Sequence, residues 1–407
     1  MKIPNKKIQL IFDMGLNICA VGFPIAMLQL VVYPYLSRRI DTDSYGLMIT
    51  MYSAWMVVSN SLGNVLNNIR LLHANEYEEK QITGDFNIFL RRWEVINLAV
   101  ILGLTIYYIQ GFNIIDIIFS LLIASCIFLK AYIEVGFRIR LNYRSILING
   151  LLQGTGFLLG MIIFNITGAW QFVFLFGFLF SMTYSAVRTG LLKEPCVRTE
   201  FYHKVSRESI QYTFATFSNS LMSYADKMVL YPLMGGHAVS VYYTATILGK
   251  IVSMLTGPIT SVVLSYISKW NQKNRNIFSK VLLSGMVLAV LGYFITLSIS
   301  RPVLALLFPQ WVQEVMQLLP LTTATIVIQT LNAFLNPFVL KFYDIKWQIV
   351  INMSSAIVYF LGALALWYFY GITGFCIGTI CGQIVKTLII IILHLFNRKA
   401  QKNDEIQ

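Results

Sequence analysis

Hydrophobic runs of about 20 residues recur along the whole chain and are separated by short polar segments. A run of this length crosses the hydrocarbon core of a bilayer as an α-helix. Helices are expected because lipid offers backbone groups no hydrogen-bond partners, and because the runs lack the alternation of a membrane barrel. The pattern predicts twelve spans, at about 9–36, 45–68, 92–110, 113–134, 143–165, 168–190, 209–234, 239–266, 278–300, 312–340, 346–370 and 373–396.

Composition supports the same class. Of 407 residues, 57% are hydrophobic and only 12% are charged, with a mean hydropathy of +0.67, whereas a soluble chain carries roughly 25% charged residues. The first run has the basic start of a signal peptide, but it is too long, contains Asp13 and lacks a small-residue cleavage site. We therefore expect it to remain as the first span of an all-α integral membrane protein.

The distribution of basic residues predicts the orientation. If both termini are cytoplasmic, 24 of the 31 Lys and Arg residues fall in inner segments. Such a bias is typical of cytoplasmic loops and requires an even number of spans. The net charge of +13 then reflects topology and contact with anionic lipid, not nucleic-acid binding. The remaining residues are Arg38, Arg39 and Arg301 in outer loops, and Lys130, Lys227, Lys250 and Lys386 within spans.

The connections between spans suggest two halves. Outer loops as short as "GFN" at 111–113 leave no room for an external catalytic domain. The basic segment "LLKEPCVRTEFYHKVSRE" falls where six predicted spans end and six begin. We predict four regions: an N-terminal six-helix lobe (1–190), a basic cytoplasmic inter-lobe linker (191–208), a C-terminal six-helix lobe (209–396) and a cytoplasmic tail (397–407).

An internal repeat supports this division. The end of span 1 reads "VVYPYLSRRIDTDSYGLMITMYSAW", and the end of span 7 reads "VLYPLMGGHAVSVYYTATILGK". Tyr33-Pro34 matches Tyr231-Pro232, and Tyr45 matches Tyr242 with one residue skipped. Six spans between the copies keep them parallel. Chance similarity of apolar helices with Tyr-Pro ends is the alternative explanation.

Lysines inside spans are the first candidate site residues. A charge at the centre of a lone membrane helix costs roughly 2.5–3.5 kcal/mol, so such residues usually face a bundle interior or a water-filled cavity. Lys250 lies about ten residues from the outer end of span 8, close to the midplane. Lys386 is similar but nearer the cytoplasm. We predict that Lys250→Ala abolishes transport, whereas Lys250→Arg retains part of it.

The other charged candidates have competing structural explanations. Asp226 and Lys227 are adjacent, so their side chains leave the helix about 100° apart. We expect one to line the cavity and the other to pair with a neighbouring helix. Lys130, Glu134 and Arg138 are spaced by four residues, which stacks alternating charges on one helix face. That spacing fits either a cavity or a helix projecting beyond the membrane.

Prolines in or at the ends of spans are candidate hinges. Each removes a backbone hydrogen bond and can bend its helix. Alternating access to a central site requires helices that bend or lobes that rock, so these positions fit transport. The residues are Pro34, Pro232, Pro258, Pro320 and Pro337.

Motifs of enzymes and metal sites are absent from the sequence. "TILGKIVS" contains Gly-Lys but neither the upstream glycine nor the following Ser or Thr of a phosphate-binding loop. The four histidines form no HExxH pair, no Gly-x-Ser-x-Gly elbow occurs, and the five cysteines form no CxxC motif. We therefore expect no catalytic residues, no metal and no cofactor.

Two segments resemble a known family. "LQLVVYPYLSRRIDTDSYGLMITMYS" is similar to the first-helix signature of the Wzx-type polysaccharide flippases, in which an acidic residue and Tyr-Gly open the second helix. "SIQYTFATFSNSLMSYADKMVLYPLMGGHAVSVYYTA" resembles their seventh-helix signature. Asp226-Lys227 match its Asp-basic pair, and Tyr242 or Tyr243 matches the tyrosine of the eighth helix. These flippases are a branch of the multidrug/oligosaccharidyl-lipid/polysaccharide (MOP) exporter superfamily.

The resemblance implies a fold, a cargo and a location. It implies two six-helix, MATE-like lobes around a central cationic cavity in the bacterial cytoplasmic (inner) membrane. The cargo would be an undecaprenyl-diphosphate-linked oligosaccharide for O-antigen, capsule or exopolysaccharide synthesis. It would be flipped from the cytoplasmic to the outer leaflet, with H+ or Na+ as counter-ion and a polysaccharide polymerase as partner. This chain departs from the family in having few cavity cations and no mid-span arginine.

Two other functions remain open from the sequence. The first is a multidrug or small-molecule cation antiporter of the same superfamily, which would need a carboxylate-rich site. Asp226 is the best of few deep carboxylates. The second is a membrane glycan-processing enzyme, which is disfavoured by the short outer loops and by the missing His/Asp-type site.

Overall fold

The computed structural model describes residues 6–111, 113–254, 275–343 and 345–396. Within these ranges the chain is almost entirely helical and contains no strand. This agrees with the requirement that backbone groups in lipid be satisfied within their own segment. Pro258, a predicted hinge, lies outside the described residues, as does the predicted tail at 397–407.

The first part of the chain forms six long helices. Helix α1 is α-helical over Lys6–Met27, continues through a π-helical segment at Leu28–Val32 and ends with Tyr33–Ser37. Helix α2 likewise joins Thr42–Trp55, a π-helical segment at Met56–Asn60, and Ser61–Glu79. The others are α3 (Asp85–Ile109), α4 (Ile114–Ile133), α5 (Tyr143–Thr167) and α6 (Gln171–Thr189), with a short helix at Val135–Ile139 after α4.

The second part contains longer helices, two of which are broken at glycine. Helix α7 (Tyr202–Met254) is interrupted at Gly235, and α10 (Ile345–Phe396) is interrupted at Gly371. Both glycines have positive φ, of 80° and 58°, which side chains rarely adopt. Between them lie α8 (Arg275–Leu307) and α9 (Val312–Phe342). The breaks fall between predicted spans 7 and 8 and between predicted spans 11 and 12.

Seven helices in the described ranges are long and apolar enough to cross a membrane. The protein is therefore a multi-pass membrane protein. The predicted number of twelve spans and the cytoplasmic termini stay predictions. The seven segments are Gly15–Ser37, Ile114–Ile139, Tyr143–Thr167, Gln171–Thr189, Phe278–Leu307, Pro309–Val339 and Trp347–Leu393.

The chain divides into two compact units, Met1–Ser240 and Val241–Gln407. In the first unit α5 packs on α6 and α1, while α4 packs on α2, α3 and α6. Large side chains that are almost fully enclosed, including Trp55, Tyr132 and Phe157, fill this unit. In the second unit α9 packs on both α8 and α10. The predicted lobe boundary at 191–208 stays a prediction, because a division by compactness does not identify transport lobes.

Candidate functional site

The four lysines within predicted spans have different surroundings in the structure. Lys227 is almost completely enclosed, with 1% of its side chain exposed, and forms an ion pair with the carboxylate of Asp226. Its ammonium also donates to the carbonyl oxygen of Ser223 at 3.3 Å and lies 5.9 Å from the centre of the Tyr224 ring. Our expectation that one of the two pairs with a neighbouring helix is wrong. The flexible lysine chain bridges the 100° between adjacent positions, so the charges neutralise each other.

Lys130 is also paired with a carboxylate. Its ammonium lies 3.1 Å from Glu134, four residues later. Glu134 in turn accepts a hydrogen bond of 2.6 Å from Asn149 on α5, and the Asn149 oxygen accepts one of 2.8 Å from Ser181 on α6. Through Glu134, Lys130 therefore belongs to a chain of polar contacts that joins α4, α5 and α6.

Lys250 lies near the end of α7 in the second unit. Its ammonium is 4.5 Å from the centre of the Tyr243 ring, a distance at which a cation and an aromatic face attract. The lysine is partly buried, and Tyr243 is 6% exposed. The contact with the ring leaves the positive charge of the ammonium group in place.

Lys386 differs from the other three. This partly buried residue makes no hydrogen bond or ion pair with any residue that the structure describes. It lies on the second half of α10, whose exposed apolar side chains share one face of the helix. At 100° per residue, Lys386 lies on roughly the opposite face. The exposed residues are Ile377, Ile384, Leu388 and Ile392.

A cluster of polar side chains lies on the same side of α10 as Lys386. Asn332 on α9 donates to the side-chain and backbone oxygens of Gln383, both at 3.1 Å. Thr387 donates to the Asn332 oxygen at 2.7 Å, and Thr325 and Thr379 share a hydrogen bond of 3.1 Å. Asn332, Gln383 and Thr387 are called the α9–α10 polar cluster below. Gln383 is one turn from Lys386, so the two residues lie on the same side of α10.

The two segments of the predicted repeat meet in the first unit. The carboxylate of Asp43 accepts a hydrogen bond of 2.9 Å from the backbone N–H of His237, and Ser240 donates to the backbone oxygen of Thr42 at 2.7 Å. Gly46 and Gly236 approach so closely that a methyl group on Gly46 would overlap the Gly236 carbonyl group. We call this meeting of α2 with the second half of α7 the outer contact, since the basic residues predict that it lies on the outer side.

The segment predicted as the inter-lobe linker is held against α2 and α3. Asp85 accepts hydrogen bonds from Tyr77 at 2.6 Å, from the backbone N–H of Thr199 at 2.8 Å, and from the Thr199 hydroxyl. Asn87 donates to the backbone oxygen of Glu194 at 2.7 Å, and the Glu194 carboxylate pairs with Arg70. Burial, together with the hydrogen bond to the Asp85 carboxylate, raises the pKa of the Tyr77 hydroxyl. The linker is therefore fastened by buried polar groups.

A second set of charges fastens the end of the linker. Both oxygens of Glu76 accept from Lys204 at 3.0 Å, and His73 lies 3.1 Å from Glu76 and 2.6 Å from Glu208. Hydrogen bonds from Lys204 and His73 lower the pKa of the Glu76 carboxyl group. The pattern of these residues along the chain gave no sign of this contact, because its partners are separated by more than 100 residues.

The four predicted hinge prolines within the described residues differ in their position along their helices. Pro34 lies two residues after the π-helical segment of α1, and Pro232 lies three residues before the break at Gly235. Pro320 and Pro337 lie inside α9 without interrupting it. Whether any of them bends during transport stays a prediction. Among the described residues, no group of His, Cys, Asp and Glu is placed to hold a metal ion.

Neither sequence comparison found a relative. No protein-family model matches the chain, and no curated protein matches it. Solved structures do match over nearly the whole length. The lipid II flippase MurJ in an inward closed conformation aligns with a TM-score of 0.71 at 12% identity, covering 95% of this chain and 86% of its own.

Multidrug transporters align as well. A MATE-family multidrug transporter of the MOP superfamily, in an inward-facing conformation, aligns with a TM-score of 0.63 at 12% identity, covering 93% of this chain and 97% of its own. The eukaryotic MATE transporter AtDTX14 aligns with a TM-score of 0.62 at 14% identity, covering 94% of each chain. The protein therefore shares the fold of the MATE transporters and of the lipid II flippase MurJ.

Proposed function

We propose that the protein is a flippase that moves an undecaprenyl-diphosphate-linked oligosaccharide from the cytoplasmic to the outer leaflet of the bacterial inner membrane. The product would serve O-antigen, capsule or exopolysaccharide synthesis by a polysaccharide polymerase. The fold is shared by a lipid II flippase and by multidrug transporters, so it does not choose between these cargoes. The charged residues of this chain favour the lipid-linked oligosaccharide as the cargo.

The observation that carries the proposal is Lys386. It lies far inside the predicted last span, faces away from the exposed apolar stripe, and has no carboxylate partner among the described residues. An unpaired cation in a membrane helix is expensive unless water or an anion solvates it. A diphosphate is an anion of matching chemistry, and the α9–α10 polar cluster supplies neutral hydrogen-bonding groups beside it.

The cargo also explains how transport could proceed without ATP. The polyprenyl tail can stay in lipid while only the sugar and the diphosphate need a hydrated path. Moving about two negative charges outward across an inside-negative membrane is favourable by roughly 4–5 kcal/mol per 100 mV. A counter-ion, H+ or Na+, could add to this driving force. The outer contact would have to open for release.

The test uses cells and reconstituted protein. Deleting the gene should make the lipid-linked unit accumulate on the cytoplasmic face, and normal surface glycan in the deletion strain would refute the proposal. In liposomes, Lys386→Ala should slow flipping of the lipid-linked oligosaccharide about tenfold or more, because a hydrogen bond to a charged group contributes about 1.5–3 kcal/mol. Lys386→Arg should retain most activity. Leu388→Ala, on the exposed apolar face, is the matched control.

A cation antiporter is the second candidate, and Glu94 on α3 favours it. Glu94 accepts a hydrogen bond from Asn97 at 3.1 Å. Its other carboxylate oxygen is enclosed and has no hydrogen-bond partner in the described structure. Asp226, the carboxylate that the sequence favoured, is neutralised by Lys227. A carboxylate with a free oxygen inside a membrane protein could bind a proton or a monovalent cation.

Drug efflux separates the two candidates. Expressed in a host that lacks its own pumps, a multidrug antiporter should raise resistance to cationic drugs, and Glu94→Gln should remove that resistance. The flippase proposal expects no resistance from the wild-type chain. Resistance without any change in surface glycan on deletion would favour the antiporter.

A further inference from the structure

Helix α2 is enclosed on every side except one narrow stripe. Between Met48 and Ile69, every fourth residue is partly exposed and all the others are buried. The helix has 3.6 residues per turn, so positions four apart form one continuous, slowly winding line. The exposed residues are Tyr52, Met56, Asn60, Asn64 and Asn68.

The second half of this stripe consists of amides. A helix surface that faces lipid is apolar, as on α8, where Val287, Leu291 and Phe294 are more than half exposed. Asparagines at three successive positions of the exposed stripe would be costly if the predicted membrane helix turned this stripe toward acyl chains. The chemistry of the stripe therefore indicates contact with water or with a polar ligand.

The hydrogen bonds of the stripe leave capacity for a ligand. Within the described residues, the side chains of Asn60 and Asn64 form no hydrogen bond. Asn68 accepts from Arg138 at 3.0 Å and lies 3.4 Å from the hydroxyl of Tyr212 on α7. Each asparagine amide offers two donor hydrogens and one acceptor oxygen. The asparagine half of the stripe begins at Asn60, the last residue of the π-helical segment Met56–Asn60, and such segments are frequent at functional sites.

Nearby contacts keep the stripe in place. Trp55 donates to Ser120 at 3.0 Å, Ser59 donates to Asn97 at 2.7 Å, and Asn67 donates to the backbone oxygen of Ala131 at 2.7 Å. These bonds fix α2 against α3 and α4. They turn the three stripe asparagines toward the remaining open side.

We propose that Asn60, Asn64 and Asn68 form a subsite for the hydroxyl groups of a neutral sugar. The inference rests on the proposed function and deepens it, since it assigns the sugar portion of the cargo to a separate set of residues. Sugar hydroxyls both donate and accept, as amides do, so each can pair with an asparagine in either sense. Lys386, by contrast, is a cation that suits the anionic diphosphate. Its ammonium group has no acceptor, so it cannot accept a hydrogen bond from a sugar hydroxyl.

The first experiment tests whether the stripe faces water. The five native cysteines are replaced by serine, and single cysteines are introduced by Asn60→Cys, Asn64→Cys and Asn68→Cys. A charged thiol reagent that cannot enter lipid should label them. It should not label Leu66→Cys, which is fully buried, or Ile162→Cys, which is apolar and 58% exposed. Failure to label Asn64→Cys in folded protein would overturn the inference.

The second experiment tests recognition of the sugar. Reconstituted wild-type protein is given undecaprenyl diphosphate carrying a neutral disaccharide and, separately, undecaprenyl diphosphate without sugar. Asn64→Leu should slow flipping of the first roughly threefold to tenfold, the loss expected for a hydrogen bond between neutral groups, and should leave the second within about twofold. Asn64→Gln should retain most activity with both lipids.

Other outcomes identify which proposal fails. If Asn64→Leu slows both lipids equally, or neither, the residue has no role in sugar binding while the flippase proposal stands. If the wild-type protein moves neither lipid, the proposed function fails and the sugar subsite fails with it. In that case labelling still decides whether the stripe faces water.

Discussion

At the scale of single residues, the ion pair of Asp226 and Lys227 shows how a predicted membrane span can carry two charges. The side chains are 10% and 1% exposed, so neither is solvated by bulk water. Lys227 also uses the backbone oxygen of Ser223, which leaves fewer of its protons unsatisfied. Such a pair is stable only while both members are present, because either charge alone is buried without compensation.

Removing one partner should therefore destabilise the protein more than removing both. Asp226→Asn is expected to lower the free energy of unfolding by about 3–5 kcal/mol, and the double change Asp226→Asn with Lys227→Met should restore most of it. Thermal unfolding of detergent-solubilised protein measures both effects. A double variant that is stable but inactive would assign the pair to transport as well as to folding.

Lys250 should behave differently because its ammonium group lies over an aromatic ring. The sequence predicts that Lys250→Ala abolishes transport, and the Tyr243 ring explains why Lys250→Arg should retain part of it, since guanidinium also binds aromatic faces. The measurement is flipping in liposomes at matched protein levels. Full activity of the alanine variant would remove Lys250 from the site.

At the scale of elements, glycines decide where long helices are interrupted. Gly235 has φ of 80° and ψ of −179°, a conformation that is essentially restricted to glycine. The break lets the second half of α7 start at the outer contact. Pro320 and Pro337 do not interrupt α9, so loss of one backbone hydrogen bond is not enough to end a helix here.

A side chain at Gly235 should be costly. Gly235→Ala is expected to reduce stability by about 1–3 kcal/mol, because alanine is strained at this φ and ψ. Gly103, inside α3 with no atoms near its Cβ position, is the matched control. Gly103→Ala should be neutral or stabilising by up to about 1 kcal/mol. Equal effects of the two changes on the unfolding temperature would contradict the assignment of strain to Gly235.

The outer contact should be sensitive to a single methyl group. At Gly46 this group would overlap the Gly236 carbonyl, so the contact must open. We expect Gly46→Ala to expose the hydroxyl position of Ser240, which is 0% exposed when the contact is closed. Labelling of Ser240→Cys by an impermeant reagent, with and without Gly46→Ala in a cysteine-free chain, measures this. Unchanged labelling would mean that the backbones adjust without opening.

At the scale of the whole molecule, the fastened linker governs how the chain enters α7. Residues 191–199 are held by Asp85 and Asn87 on α3 and by Arg70 on α2. Lys204 and Glu208 continue this attachment to the start of α7. The first unit consequently includes the linker and α7 as far as Ser240. A free tether between lobes would not show such contacts.

Acid should loosen this attachment. The folded pKa of Glu76 lies below its usual value of 4.5, so its contribution to linker docking is present above pH 4.5 and is lost as pH falls through the lowered pKa. The protection of residues 200–208 against hydrogen exchange, taken relative to the intrinsic exchange rate at each pH, should therefore fall as pH drops below 4.5 toward the lowered pKa of Glu76. Glu76→Gln should show fast exchange at neutral pH already. An acid response retained in Glu76→Gln would assign it to another group.

Much of the architecture follows from the sequence alone. Hydrophobic run length determines the membrane class and places most helices, because the cost of burying polar groups in lipid applies to each segment independently. The same pattern misjudged helix ends: α2 continues to Glu79 and α3 begins at Asp85, beyond the predicted spans. Hydropathy detects only the part of a helix that lies in hydrocarbon. The helix itself can continue into water, because its backbone hydrogen bonds form there as well.

Residue type and depth also identified the candidate lysines, but only the tertiary structure decided which of them are neutralised. Lys130 and Lys227 have carboxylate partners, Lys250 has an aromatic ring, and Lys386 lies beside a polar cluster built from two helices. The amide stripe of α2 and the Gly46–Gly236 approach are likewise invisible along the chain. A sequence determines the local cost of each charge and can place its partner on the same helix, as for Lys130 and Lys227. A polar cluster such as the one near Lys386 forms only when separate helices pack.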